Sequence, residues 1–188
     1  MNWLHYLFLK SQAVILLVLG QRQAALQRFD DMLLLDPHNR YVMASRAHLM
    51  GQLGNKHGAI TALQALTSAH PDHSAGWFNL GFTLADMGHH LDAEPAFRRA
   101  IQAEPKMDRA WYGLALLLIK ERRFDEAVEA LKVNTELQPM SPFGWYQLAR
   151  VHVDRQQPDE AEKIIRHLKG FEPKVAAQLE RETGLRIA

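Results

Sequence analysis

Ten histidines and no cysteine set the first limits on the chemistry open to this 188-residue chain. His70 and His73 flank Pro71 and Asp72, and His89 and His90 are adjacent, which raises the question of a metal site. Zinc needs four ligands converging on one point. The chain has no H-E-x-x-H pair and no thiolate, so these histidines read as surface residues and no metal is expected. The lack of cysteine also excludes disulfides and thiol catalysis. There is no glycine-rich phosphate loop and no G-x-S-x-G, and Glu126, Glu129 and Glu136 lie on a helix face as ordinary solvated charge. The expectation is therefore a protein that is not an enzyme and carries no cofactor. Recognition is the chemistry that remains. Aromatic residues and arginine dominate binding hot spots, and the chain offers Tyr41, Phe78, Phe82, Tyr112, Phe143 and Tyr146 together with Arg109 and Arg150. His48 and Asn79 stand among them, and an amide both donates and accepts. With 22 basic against 21 acidic residues the net charge is +1, so nucleic acid is not an expected partner. Helical repeats that read RNA base by base need a more basic groove than a few spaced cations provide.

The elements that must position these residues show themselves through a period. Pro37, Pro71, Pro105, Pro139 and Pro173 are 34 residues apart. Trp77, Trp111 and Trp145 keep the same step, as do Ala25, Ala59, Ala93, Ala127 and Ala161. Unequal loops would have broken the phase, so the units run on almost uninterrupted. Within residues 74–107, Trp77, Leu80, Gly81 and Leu84 form one apolar stripe of a first helix. Gly88 ends that helix. Ala93, Phe97 and Ala100 mark a second helix, and Pro105 separates this hairpin from the next. Gly20 and Gly54 hold the same turn in the earlier units. Pro158, with Asp159 and Glu160 behind it, suits a first helical turn. Gly81, Ala115 and Ala149 allow the two helices of a hairpin to approach, and the tryptophans fill the space between hairpins.

The segment Trp3–Leu19 is the most apolar in the chain. His5, Lys10, Ser11 and Gln12 interrupt it, where a membrane span needs about 20 predominantly apolar residues. A secretory signal would place its positive charge ahead of the apolar core. The expectation is a helix buried on several sides that nevertheless carries more apolar surface than one neighbour covers. Leu4, Leu7, Phe8 and Leu17 form a candidate N-terminal interface, because a large exposed apolar patch marks a contact site. It would serve a second copy, a membrane protein or the bilayer surface.

This pattern resembles the tetratricopeptide repeat (TPR) family. Residues 74–107 carry it best, through Trp77, Leu80, Gly81, Leu84, Ala93, Phe97, Ala100 and Pro105. Residues 108–141 follow through Trp111, Leu114, Ala115, Leu118, Ala127, Leu131 and Pro139, and residues 142–175 through Trp145, Leu148, Ala149, Ala161, Ile165 and Pro173. Residues 40–73 keep Met43, Ala47, Met50, Ala59, Leu63 and Pro71, and residues 6–39 keep Ala13, Leu16, Ala25, Phe29 and Pro37. Five units in phase, followed by a capping helix over 176–188, read as a single domain spanning 1–188. Three departures carry expectations of their own. Ile165 and Leu168 replace an aromatic and an alanine, which predicts looser packing. Pro95 is placed in the first turn of its helix, where a missing donor costs little. Asn134 stands in an apolar position and is expected to be partly solvated.

The resemblance implies an all-α, right-handed superhelical α-solenoid of helix-turn-helix repeats, with the first helix of each hairpin lining a concave face. Off the packing stripe, that face would present Tyr41, His48, Phe78, Asn79, Phe82, Arg109, Tyr112, Phe143, Tyr146 and Arg150 as a partner-binding groove. Asn79 resembles a position that contacts a bound peptide backbone in the family, and the arginines would pair with carboxylates. The carboxylate clamp of chaperone-binding members is not expected, because Asn79 and Arg109 match two of its places while Ala44, His48 and Gly113 occupy the others. The function implied is a protein–protein interaction scaffold that binds a peptide or helix of a partner and serves assembly of a larger complex. The alternative is a scaffold or oligomer acting through its apolar N-terminal helix. The expected location is cytoplasmic, with any membrane association made through a partner.

Overall fold

The computed structural model describes residues 3–185, and among these every regular element is a helix. Ten helices form five hairpins: α1 (Trp3–Val18) with α2 (Arg22–Leu35), α3 (Arg40–Gln52) with α4 (Lys56–Ala69), α5 (Ser74–Asp86) with α6 (His90–Ala103), α7 (Asp108–Lys120) with α8 (Phe124–Leu137), and α9 (Pro142–Asp154) with α10 (Pro158–Lys169). A last helix, α11 (Pro173–Thr183), follows. It begins three residues ahead of the expected 176, and residues 186–188 of the expected cap lie outside the described residues. The chain divides into two compact units, Met1–Ala103 and Glu104–Ala188. In the first, each of α1 to α6 packs on its neighbours in sequence; in the second, α7 to α11 do so, with α11 also against α9.

The same turn chemistry closes all five hairpins. One residue in each adopts a left-handed conformation, at Gly20 (φ 72°), Gly54 (79°), Gly88 (82°), Arg122 (60°) and Gln156 (59°). The residue after it donates back to the carbonyl five positions earlier, as Gln21 to Leu16 (2.8 Å) and Gln157 to His152 (2.9 Å). This is the Schellman arrangement, for which glycine is favoured because it has no Cβ penalty. The last two hairpins hold it with ordinary side chains, and each residue so placed costs about 1–2 kcal/mol. Gln156 is exposed. Gln156→Gly is therefore expected to raise the stability of the second unit by about 1 kcal/mol, read as a higher urea midpoint by circular dichroism.

Between hairpins, the tryptophans both pack and bond. The indole N–H of Trp77, Trp111 and Trp145 donates to the carbonyl of Pro71, Pro105 and Pro139, each at 2.9 Å. A half-buried indole thereby finds its partner and ties the loop carbonyl to the helix it precedes. Helix starts are capped by Asn39 and Asn55, whose Oδ1 atoms accept from Val42 and Gly58. At α5 the cap is His73, whose Nδ1 accepts from the Gly76 amide at 2.8 Å. His70 sits in the same loop, with its Nε2 2.8 Å from the His38 carbonyl.

A histidine that caps through Nδ1 must be unprotonated on that nitrogen. Burial, and then the charges of Arg40 and His70, hold the His73 pKa below its ordinary 6.5, with Asp72 acting in the opposite direction. The folded state therefore binds fewer protons than the unfolded state as pH falls below 6.5. This contribution to stability is complete above that pH and is lost as pH falls toward the folded pKa. Changing the cap to asparagine, His73→Asn, should remove this component and leave a flatter profile of urea midpoint against pH.

Three local expectations are corrected. Ile165 and Leu168 are fully buried, so α10 packs tightly; the imidazole of His167 supplies the aromatic contact, 4.5 Å from the Trp145 ring and 5.3 Å from Phe171. Pro95 lies beyond the first turn, because α6 starts at His90 and the Ala93 amide already bonds to His89. What it removes is the bond to the Leu91 carbonyl, and Leu91 is exposed, so water can serve that oxygen. Asn134 is buried, with its side-chain amide donating to the Asp108 carbonyl at 2.9 Å. The N-terminal helix also departs from expectation. α1 is buried along one side only, through Leu9 and Ala13, because α2 is its sole packing neighbour of note.

Candidate functional site

In the first unit, the short side chains of Ala47 and Gly51 on α3 leave an open groove of about 430 Å³ between α3 and α5. Its walls carry His48 and Gln52 from α3 and Phe78, Asn79, Phe82 and Thr83 from α5. Phe78 and Phe82 are one helical turn apart, so they share a face; their rings stack at 6.2 Å. Phe78 in turn leans on Phe97 of α6 at 6.1 Å. Phe82 remains 60% exposed. Lys56 and Asp86 close one end with a 2.5 Å ion pair between α4 and α5. His48 Nε2 and Gln52 Nε2 are 2.9 Å apart. The Asn79 carbonyl accepts from the Thr83 hydroxyl at 2.7 Å, while its side-chain amide makes no hydrogen bond among the described residues.

Four of the residues singled out by sequence, His48, Phe78, Asn79 and Phe82, thus share one groove. Tyr41 does not line it; it is exposed on α3 with the Lys10 ammonium 5.6 Å from its ring centroid. In the second unit Arg109, Tyr112 and Phe143 come together in a smaller cleft of about 340 Å³, with Asp108, Asn134, Gln138 and Ser141. Tyr146 and Arg150 are engaged elsewhere. The Tyr146 hydroxyl donates to Glu182 of α11 at 2.5 Å, and Arg150 donates to the Tyr146 oxygen at 3.3 Å. Hydrogen bonds from Tyr146 and Gln178, and then the Arg150 charge, hold the Glu182 carboxyl below its ordinary range. Arg150 thus reaches the Glu182 carboxylate only through the Tyr146 hydroxyl.

Sequence reasoning missed Lys56, Ala59 and Leu63, which α4 contributes to the first groove. The repeat pattern marks Ala59 and Leu63 as packing residues, and only the first helices read as lining a binding face. Among the described residues no three histidine, aspartate or glutamate side chains converge as a metal site would require. No described helix is long and apolar enough to cross a membrane.

Residues 83–141 match the family model described as Tetratricopeptide repeat. The five hairpins of one period extend that likeness to a tetratricopeptide-like repeat fold over the described residues. The fold class is the all-α solenoid of helix-turn-helix units. Several solved structures share this fold along nearly the whole length of the chain. A crystal structure of MamA protein aligns with a TM-score of 0.82 at 17% identity, covering 97% of each chain. MamA 41-end from Desulfovibrio magneticus RS-1 aligns at 0.78 and 18% identity, over 94% of this chain and 96% of that one. YrrB, described as a TPR protein with an unusual peptide-binding site, aligns at 0.77 and 18%, over 90% and 88%. At such identities the likeness establishes fold alone. No curated protein matches the chain.

Proposed function

We propose that this TPR-like chain is a protein–protein interaction scaffold whose α3–α5 groove holds a peptide or helix of a partner, serving assembly of a larger complex. The observation that carries the proposal is the pairing of an exposed Phe82 with an unbonded Asn79 amide on the wall of an apolar groove. An exposed phenylalanine offers area to an apolar anchor of the partner. The amide beside it can donate to and accept from a peptide backbone. A TPR relative of similar fold described by its peptide-binding site supports the reading. The Arg109–Tyr112–Phe143 cleft is a second contact point, with arginine suited to a carboxylate.

The test is affinity capture from the native lysate, comparing wild type with Phe82→Ala, Tyr112→Ala and read by mass spectrometry. Loss of a hot-spot aromatic costs about 2 kcal/mol or more, so the captured partner should be depleted at least tenfold from the variant. Helicity is checked alongside, because Tyr112 packs against the core of its unit. Equal capture by both proteins would overturn the groove reading.

A further inference from the structure

The strongest feature outside the grooves is the uncovered side of α1. By the 34-residue correspondence, Phe8 and Ile15 of α1 match Val42 and Leu49 of α3. Val42 and Leu49 are buried, whereas Phe8 and Ile15 are 56% and 57% exposed. They belong to a stripe formed by Leu4, Phe8, Ser11, Ile15 and Val18, spaced by four, three, four and three residues. That is the a/d seam of a helix that packs lengthwise on another helix. Ser11 is the only polar member, and its hydroxyl is already satisfied by the Phe8 carbonyl at 2.8 Å.

We infer that α1 pairs antiparallel with α1 of a second copy, about a two-fold axis passing through Ser11. The spacing is self-complementary. With Ser11 facing Ser11, Leu4 meets Val18 and Phe8 meets Ile15 of the other copy, and the small serine allows close approach at the crossing. A two-fold contact of this kind uses the same patch on both partners and closes after two copies. Lys10 points away from the seam and lies beside Tyr41, so no like charges face each other across it. The apolar members of the seam, Leu4, Phe8, Ile15 and Val18, are 71%, 56%, 57% and 83% exposed, and two such seams together cover on the order of 1,000 Å², the least that a specific interface needs.

Other occupants fit less well. The far end of the chain offers a polar face, with Lys174, Gln178, Arg181 and Glu182 exposed on α11, so head-to-tail stacking would bury nothing apolar against the seam. A further hairpin stacked in register would meet the bulk of Phe8 where α3 presents Val42 and α5 presents Gly76. A bilayer-surface helix needs a strongly charged, usually basic, face opposite its apolar one. α1 is apolar nearly all round and has one lysine.

The experiment is sedimentation equilibrium of the whole chain across the micromolar range. Wild type is expected to behave as a dimer, and Phe8→Glu, Ile15→Glu as a monomer with unchanged helicity. The chain has no cysteine, so Ser11→Cys introduces a single thiol at the proposed axis. It should oxidise to a covalent dimer, while Ser68→Cys on α4 should not. If the glutamates unfold the first hairpin, the Ser11→Cys cross-link decides alone. The inference is overturned by a wild-type monomer throughout, by a dimer that survives the glutamates, or by a dimer that Ser11→Cys cannot link. A monomer that floats with vesicles of mixed neutral and anionic phospholipid would assign α1 to lipid and overturn it equally.

Discussion

Gly144→Ala is expected to destabilise the second unit by about 2–4 kcal/mol, through overpacking and a disturbed buried hydrogen bond. The sign is the diagnostic part. Inside an ordinary helix the same change stabilises by about 0.5–1 kcal/mol, because alanine has less backbone entropy to lose than glycine. Gly51 on α3 is such a case: a Cβ built there meets nothing within 4 Å, so Gly51→Ala serves as the control. At Gly144 a Cβ would stand 2.2 Å from Asn134 Oδ1 and 3.1 Å from the Thr135 methyl. Asn134 is 5% exposed, and its amide is tied to the Asp108 carbonyl. It can give way only by breaking that bond at a side chain that is largely shielded from solvent. Removing the obstacle should rescue the variant, so Gly144→Ala combined with Asn134→Ala is expected to be less destabilised than the sum of the two single changes. Urea unfolding followed by circular dichroism measures all four proteins. A Gly144→Ala variant as stable as wild type would mean that α9 shifts freely on α8.

This pair also shows how far the sequence could be read. The five-fold phase of proline and alanine, kept by tryptophan in three units, located every hairpin, because loops of constant length leave no freedom in where helices begin. A period reports what the repeats share, and it is silent on how one repeat compensates for its own departures. Asn134 looked like an intrusion into an apolar position, and its partner Gly144 looked like an unremarkable glycine. Only their approach shows that one makes room for the other. Leu66 and Gly76 follow the same rule in part, since a Cβ on Gly76 would meet Leu66 at 3.1 Å as well as the capping His73 Nδ1 at 2.7 Å. At the equivalent positions 100 and 110 the sequence carries alanine twice. Arg122 and Gln156 hold a glycine conformation that their side chains gave no reason to expect, because the hydrogen bonds of the turn outweigh the local penalty. For the candidate site, helical spacing was enough to put Phe78, Asn79 and Phe82 on one face. It could not reveal that Tyr146 is engaged by Glu182, which lies 36 residues beyond it and arrives only when α11 docks.

Phe97→Ala should have the larger effect on the first unit, and it joins the packing there to the groove. The side chain is 1% exposed on α6, and truncating a buried phenylalanine costs about 3–5 kcal/mol. Two neighbours depend on its ring. A Cβ on Gly81 would stand 3.0 Å from it, so that glycine is what lets the ring lie between α5 and α6. Phe78 rests against it at 6.1 Å and in turn stacks with Phe82, the exposed aromatic of the groove. Losing the ring therefore removes the support of Phe78 as well as core volume, and partner capture should fall even at temperatures where the unit stays folded. Phe97→Leu, which keeps most of the volume, is expected to cost much less stability. The combination Phe97→Ala, Gly81→Ala separates the two roles. The added methyl refills part of the cavity and favours the α5 helix, so the urea midpoint should recover in part. It cannot replace the ring under Phe78, so capture should stay low. If capture recovered together with the midpoint, the groove would need only a filled core, and Phe78 would hold its place without the ring beneath it.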